Sequence, residues 1–364
     1  MPTSFLLHLH AIITLPGIGP SRMRKLLDVF GTPEAVWSAP ESALHEAGLS
    51  DRVAHELSSL SANTSPEALW SKLEQHSIQA FHQEDPGYPK LLKEIPQAPF
   101  IIYTRGSINL NDTPLVTIVG SRRHTPYGKR VAEKLARDLA SVGICVVSGL
   151  ALGIDGVAHR GALEAGGTTV AVLGNSLDDA SIAPRSHLSL AHNIVNHGAL
   201  VSEYPPVSPA NKTTFPARNR IMAGMSLGTV VVEAAEKSGT LITARLTLDF
   251  NREVFAVPGS IFSEASVGPN HLIRSGAKVV TSVTDILEEL QLGQTSLFQE
   301  EKSKSMDLSP EEEKILHILS GEALHVDKIV KLTTLDTSTV GSTLAFLELK
   351  GMVKNIENMN YISK

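Results

Sequence analysis

Cysteine is nearly absent from this chain. The one present, Cys145, stands inside the apolar run Ile144-Cys145-Val146-Val147. No disulfide framework can form within the chain, and a buried core thiol in a reducing cytosol is expected. Aromatics are also scarce, at 5% of 364 residues. Positive charge is not in excess: the formal net charge is −6. That excludes an overall basic footprint and confines any nucleic-acid contact to a local patch. No basic leader precedes an apolar run at the start, and no stretch approaches a membrane span. A soluble, cytoplasmic protein without membrane contact is expected. Two nucleotide signatures are missing as well. The first strand leads into Gly120-Ser121-Arg122-Arg123, not Gly-x-Gly-x-x-Gly, and Ser148-Gly149 stands where a ribose-binding carboxylate would end the second. This argues against a dinucleotide cofactor. No Gly-x-x-x-x-Gly-Lys-Ser/Thr occurs, which argues against a P-loop ATPase.

What the chain does contain is a trio of small-residue turns, each after an apolar strand-like run. They are Gly120-Ser121-Arg122, then Ser148-Gly149-Leu150 continuing through Gly153-Ile154-Asp155, then Ser238-Gly239-Thr240 beyond Glu233. A strand that ends in Gly and Ser and leads into a helix presents backbone N–H groups to an anion. Three such turns on one sheet, with arginines nearby, suggest a chain of phosphates or a large nucleotide. Arginine suits phosphate because its fork meets two oxygens at once.

Residues 1–80 read as short helices. Between them, Leu15-Pro16-Gly17-Ile18-Gly19-Pro20 is either a helix-hairpin-helix turn able to hold one phosphate or a plain joint. Residues 81–292 alternate strands and helices, with strands expected at 115–119, 144–148, 168–173, 200–202, 228–232 and 253–257. Continuous apolar runs of this kind belong to strands buried on both faces. The fold class is therefore α/β, a Rossmann-like doubly wound, mostly parallel sheet, whose ligands bind beyond the carboxyl ends of its strands. Residues 293–306 read as a linker. Residues 307–364 open on a capping box at Ser309 and Glu312 and suggest a winged helix of three short helices and a terminal strand pair.

A further basic segment is Lys212-Thr213-Thr214-Phe215-Pro216-Ala217-Arg218-Asn219-Arg220. Its cations could track a backbone while Phe215 stacks on a base. Alternatively Phe215 packs and Arg218 pairs with Glu203. Glu233 is a capping or ion-paired carboxylate, or a general base. Asp155 and His159 have i, i+4 spacing, and the expected role of Asp155 is a helix cap, since no third metal ligand is evident.

Together these motifs resemble DNA-processing protein A, the DprA/Smf family. Ile118 to Arg122, Val147 to Asp155, Ser202-Glu203-Tyr204-Pro205, Phe215 to Ile221, Ser238 to Ala244 and Val254 to Gly259 carry the resemblance. It implies a homodimeric, non-catalytic binder of single-stranded DNA that protects incoming DNA and promotes loading of the RecA recombinase during natural transformation. The contacts it implies are Gly120, Ser121 and Arg122, then Lys212, Phe215, Arg218, Asn219 and Arg220, with Ser238, Gly239 and Thr240 completing the pocket. No catalytic residue, metal or cofactor is implied. The stretch Ser176 to Pro184 departs from the family pattern: it is two residues longer, with Ala183 where the family has Tyr.

Two alternatives belong to other classes. A nucleotide-processing enzyme of phosphoribohydrolase type would need Pro-Gly-Gly-x-Gly-Thr-x-x-Glu, and here the paired glycines are missing and Glu233 lies one residue too far. The C-terminal module could read duplex DNA. From 301 to 364, however, eight lysines and no arginine face ten acidic residues, a net −2, which favours a protein-contact or structural role.

Overall fold

The computed structural model describes residues 2–209, 213–292, 309–319, 324–349, 352–357 and 359–363. Lys212 and the 293–306 linker lie outside the described residues. The chain forms two compact units, Met1–Gly293 and Gln294–Lys364.

The first unit begins with helices α1 (Ser4–Ile13), α2 (Pro20–Phe30), α3 (Pro33–Trp37), α4 (Glu41–Glu46), α5 (Asp51–Asn63) and α6 (Pro66–Gln75). Their starts are set by capping chemistry. The Thr3, Thr32 and Ser65 side chains accept from backbone amides three residues on, and Pro stands in the first turn of α2, α3 and α6. The buried faces of these helices pack together around Leu9, Ile12, Leu26 and Leu57.

A nine-stranded sheet follows: β1 (Gln79–His82), β2 (Ile101–Gly106), β3 (Leu115–Val119), β4 (Cys145–Ser148), β5 (Thr169–Val172), β6 (Ala199–Ser202), β7 (Gly228–Val231), β8 (Glu253–Ala256) and β9 (Lys278–Val279). Its order is β1-β2-β6-β5-β4-β3-β7-β8-β9. Pairing is parallel from β6 through to β9 and antiparallel between β1 and β2 and between β2 and β6. The expected strands are all present. β1 and β2 were not expected, because β1 is short and polar at its ends and β2 is hidden behind a proline-rich approach.

The crossover helices are α8 (Pro126–Ser141), α9 (Ile154–Glu164), α10 (Leu188–His197), α11 (Thr214–Met225) and α12 (Thr240–Asp249); α7 (Lys90–Lys93) precedes β2, and α13 (Val267–Arg274) and α14 (Val283–Glu289) flank β9. One face of the sheet buries Val116, Ile118, Val146 and Val230 against α8 and α9. The other buries Val119, Val147, Val172 and Val231 against α11 and α12. Cys145 lies in this second core, where burial pushes its thiol up to about 12. No helix among the described residues is long and apolar enough to cross a membrane.

The second unit holds α15 (Pro310–Leu319), β10 (Leu324–His325), α16 (Val326–Thr333), α17 (Thr337–Leu349), β11 (Val353–Glu357) and β12 (Asn360–Ser363). Its strands form a sheet of order β10-β12-β11 beside a core of Ile315, Ile329, Val340 and Leu344, the winged-helix arrangement.

Candidate nucleic-acid interface

Because β4, β3, β7 and β8 run parallel, their carboxyl ends share one edge of the sheet. The chain builds from β3 outward through β4, β5 and β6, then returns to the other side of β3 with β7 and β8. The strand order therefore reverses between β3 and β7. Open α/β sheets take ligands in the crevice at such a reversal, and the first and third turns flank it.

The first turn leaves β3. Arg123 N–H donates to Ser121 Oγ (3.0 Å), which in turn donates to Arg123 O (2.9 Å). Ile154 N–H donates to Ser121 O at 3.1 Å, fixing the turn on the start of α9. Arg122 and Arg123 are exposed, as are Lys129 and Arg130 just inside α8. The Arg122 guanidinium lies over the Phe215 ring, 5.5 Å from its centroid, within cation–π range. The third turn lies before α12. Ser238 Oγ accepts from Thr240 N–H (3.2 Å), Gly239 is exposed at the N-cap, and Lys237 is exposed beside it. The positive end of the α12 dipole therefore faces this edge.

The second turn is different, and the expectation of three open anion turns is corrected here. Gly149 and Leu150 are buried. Ser148 Oγ donates to Ile118 O at 2.7 Å, so its hydroxyl already bridges β4 to β3. The turn's amides hold the chain's own carboxylate: Ala151 N–H donates to Asp155 Oδ2 (3.3 Å), and the Gly149 amide also favours the charged form of Asp155. Burial pushes the Asp155 carboxyl up, opposed first by Arg218. Asp155 is not the helix cap; Gly153 occupies that position of α9.

Arg218 lies beneath the same turn. Its Nη1 donates to Gly149 O (2.7 Å) and to Val172 O. A Cβ on Gly149 would stand 2.2 Å from that nitrogen, so only glycine lets the guanidinium approach. Arg218 is buried and faces Asp155 and the strand ends. It holds the edge together and does not reach toward solvent. The sequence pairing of Arg218 with Glu203 is corrected too: Arg220 makes that ion pair, and both partners are largely buried. Burial raises the Glu203 carboxyl despite this neighbour. Asn219 is half-buried on the same helix, and Phe215 is half-buried at its start. The structure thus brings Gly120, Ser121, Arg122 and Phe215 together, sets Ser238, Gly239 and Thr240 across the crevice, and turns Arg218 and Arg220 inward.

Glu233 is buried at the end of β7. Its carboxylate accepts from both the N–H (2.9 Å) and the hydroxyl of Thr125, the N-cap of α8. A Cβ on Gly128 would collide with it at 2.2 Å. His159 is a core residue: Nδ1 lies 2.7 Å from Thr169 Oγ1, and burial pushes its pKa down to about 3. The Gly17 turn lies elsewhere, lining a cavity of about 1000 Å³ that also meets Tyr204, Pro205 and Arg220.

Sequence reasoning missed the Asp155 contact with the second turn and the tie between Tyr127 OH and Pro258 O (2.8 Å). The i, i+4 pair of Asp155 and His159 drew attention to the right carboxylate for a different reason.

The family model for DNA recombination-mediator protein A matches residues 79–291, and that for the DprA winged helix domain matches 299–357. Protein Smf of a Synechocystis species is 34% identical, with 95% of each chain covered. The crystal structure of DNA processing protein A from Streptococcus pneumoniae superposes with a TM-score of 0.67 at 33% identity, covering 79% of this chain and 99% of that one. The protein of the same name from Helicobacter pylori, whose structure was described for its single-stranded DNA binding mode, gives a TM-score of 0.53 at 32% identity, covering 59% of this chain and 96% of that one.

Proposed function

The chain belongs to the DNA recombination-mediator protein A family, and we propose that it grips single-stranded DNA along the carboxyl edge of its sheet without catalysing a reaction on it. The observation that carries this reading is the pair of open turns either side of the β3–β7 reversal, with Arg122 held over Phe215. Cations meet phosphates there, and an aromatic face stands beside them for a base. In the family context the bound strand is protected and passed to the RecA recombinase, with the protein acting as a homodimer.

The non-catalytic reading is supported by Glu233. Both of its oxygens accept from Thr125 under the start of α8, so the carboxylate positions a loop and does not face a substrate. Titrating a labelled oligo(dT) at rising salt tests the proposal. Affinity is expected to fall steeply as phosphate counterions are released. Salt-independent binding, or none, would overturn it. Faster RecA filament assembly on coated oligonucleotides when the protein is added would support the loading role; no change would remove it.

A further inference from the structure

Loops that end parallel strands cannot be hydrophobic and exposed without cost, because water orders around the apolar surface. The loop after β8 does this to an extreme degree. Ile261 is 82% exposed and Phe262 is 93% exposed, the highest value among the exposed large hydrophobic residues described. In a chain so poor in aromatics, only Tyr127, Phe262 and Phe346 appear among those residues. Two of the three stand at the carboxyl edge of the sheet.

The loop is held in place. Asn270 clamps Gly259 from both sides, accepting from its N–H (3.2 Å) and donating to its carbonyl (3.0 Å). Ser263 N–H donates to Ser260 O at 3.1 Å, and Phe262 N–H donates to Ser260 Oγ at 3.3 Å. The backbone that carries Phe262 is therefore a closed turn. It is also continuous with the anion turns. Tyr127 OH donates to Pro258 O, joining the loop to the segment just after Arg122. Ala234 N–H donates to Ala265 O, and Gly268 N–H to Ala234 O (both 2.8 Å), joining it to the segment before Ser238. Because β8 pairs with β7, the loop leaves the strand next to the one that the third turn follows.

We propose that Phe262, with Ile261 beside it, is a stacking platform for a base of the same single strand whose phosphates lie on the first and third turns. This inference rests on the reading of the edge as a single-strand track and extends that track past β7. Phosphate contacts alone leave bases splayed in water. An exposed ring at the end of the track gives one of them a face to cover.

The test separates base from backbone. Affinity is measured for oligo(dT) and for an abasic sugar–phosphate strand of equal length, using the parent chain, Phe262→Ala, Phe262→Tyr and Arg122→Ala. Phe262→Ala is expected to weaken oligo(dT) binding by about tenfold and leave the abasic strand unchanged. Phe262→Tyr keeps the ring and retains affinity. Arg122→Ala weakens both strands alike.

Suppose Phe262→Ala changes neither strand, or both equally, while Arg122→Ala still weakens both. The platform is then wrong and the proposed function stands. If Arg122→Ala is also silent, the track itself is wrong. Sedimentation of the same variants gives the other occupant its chance: loss of self-association in Phe262→Ala with unchanged oligo(dT) affinity would assign the face to a second copy of this chain and overturn the proposal.

Discussion

The guanidinium of Arg122 lies over the ring of Phe215, 5.5 Å from its centroid. One residue leaves β3 and the other opens α11, so the contact joins two loops of the sheet edge through a cation and an aromatic face. The ring restrains the arginine and leaves its planar fork available for phosphate oxygens.

Arg122→Ala is accordingly expected to weaken single-strand binding on every sequence by about tenfold, and to flatten the salt slope by about 0.7. Arg122→Lys restores only part of the loss, because an ammonium lacks the two-oxygen fork. Fluorescence anisotropy with oligonucleotides of several compositions at several salt concentrations checks both outcomes. Loss confined to one sequence would contradict a phosphate contact.

Arg218 predicts a different behaviour. It is buried beneath Gly149 and Val172 and faces Asp155, so Arg218→Leu leaves a buried carboxylate without its counter-charge. The expected cost is about 3 kcal/mol or more of folding stability, read by denaturant unfolding. An Arg218 variant as stable as the parent but unable to bind DNA would mean that this side chain contacts the strand directly.

These two arginines mark what the sequence could and could not reveal. Strands such as Leu115–Val119 and Gly228–Val231 were legible because uninterrupted apolar runs have few other fates. The turns were legible as turns. That the second holds an internal carboxylate was not, because its anion is Asp155 on the following helix and its cation comes from a distant segment. Likewise, which of Arg218 and Arg220 reaches Glu203 depends on which face of α11 meets the sheet. Phe262 carries no local signal at all, since one aromatic in a loop looks the same buried or bare.

Glu233→Gln keeps the shape of the side chain but leaves only one oxygen to accept from Thr125. A loss of about 1–3 kcal/mol is expected, with no release of free base from nucleoside monophosphates by parent or variant. Turnover by the parent that Glu233→Gln abolishes would revive the phosphoribohydrolase alternative.

Acid should destabilise the first unit through its buried histidines. Burial lowers His10 to about 4 and His159 to about 3, from the ordinary imidazole value of 6.5. An unfolded chain takes up these protons near pH 6.5, whereas the folded chain does not. Stability is therefore complete above that pH and lost as pH falls toward the folded values. For His159 alone the loss between pH 7 and 5 is about 2 kcal/mol. His159→Gln should reduce the pH dependence by that amount in urea melts. Parallel curves for parent and variant would contradict the assignment.

The outward face of α17 presents Ser338, Gly341, Ser342, Ala345 and Phe346, and no lysine or arginine lies within Thr337–Leu349. A helix without cations is a poor reader of a duplex groove. A chain ending at Leu292 should keep the single-strand affinity of the full chain. A large loss on truncation would assign the winged-helix unit a direct part in binding.

The most direct measurement is the structure of the protein with a short oligo-deoxythymidine. Phosphates are expected at the Ser121–Arg122 turn and at the Ser238–Gly239 turn, spanning the β3–β7 crevice, with none on the Asp155-filled turn between β4 and α9. A strand bound away from this edge, with both open turns empty, would contradict the account.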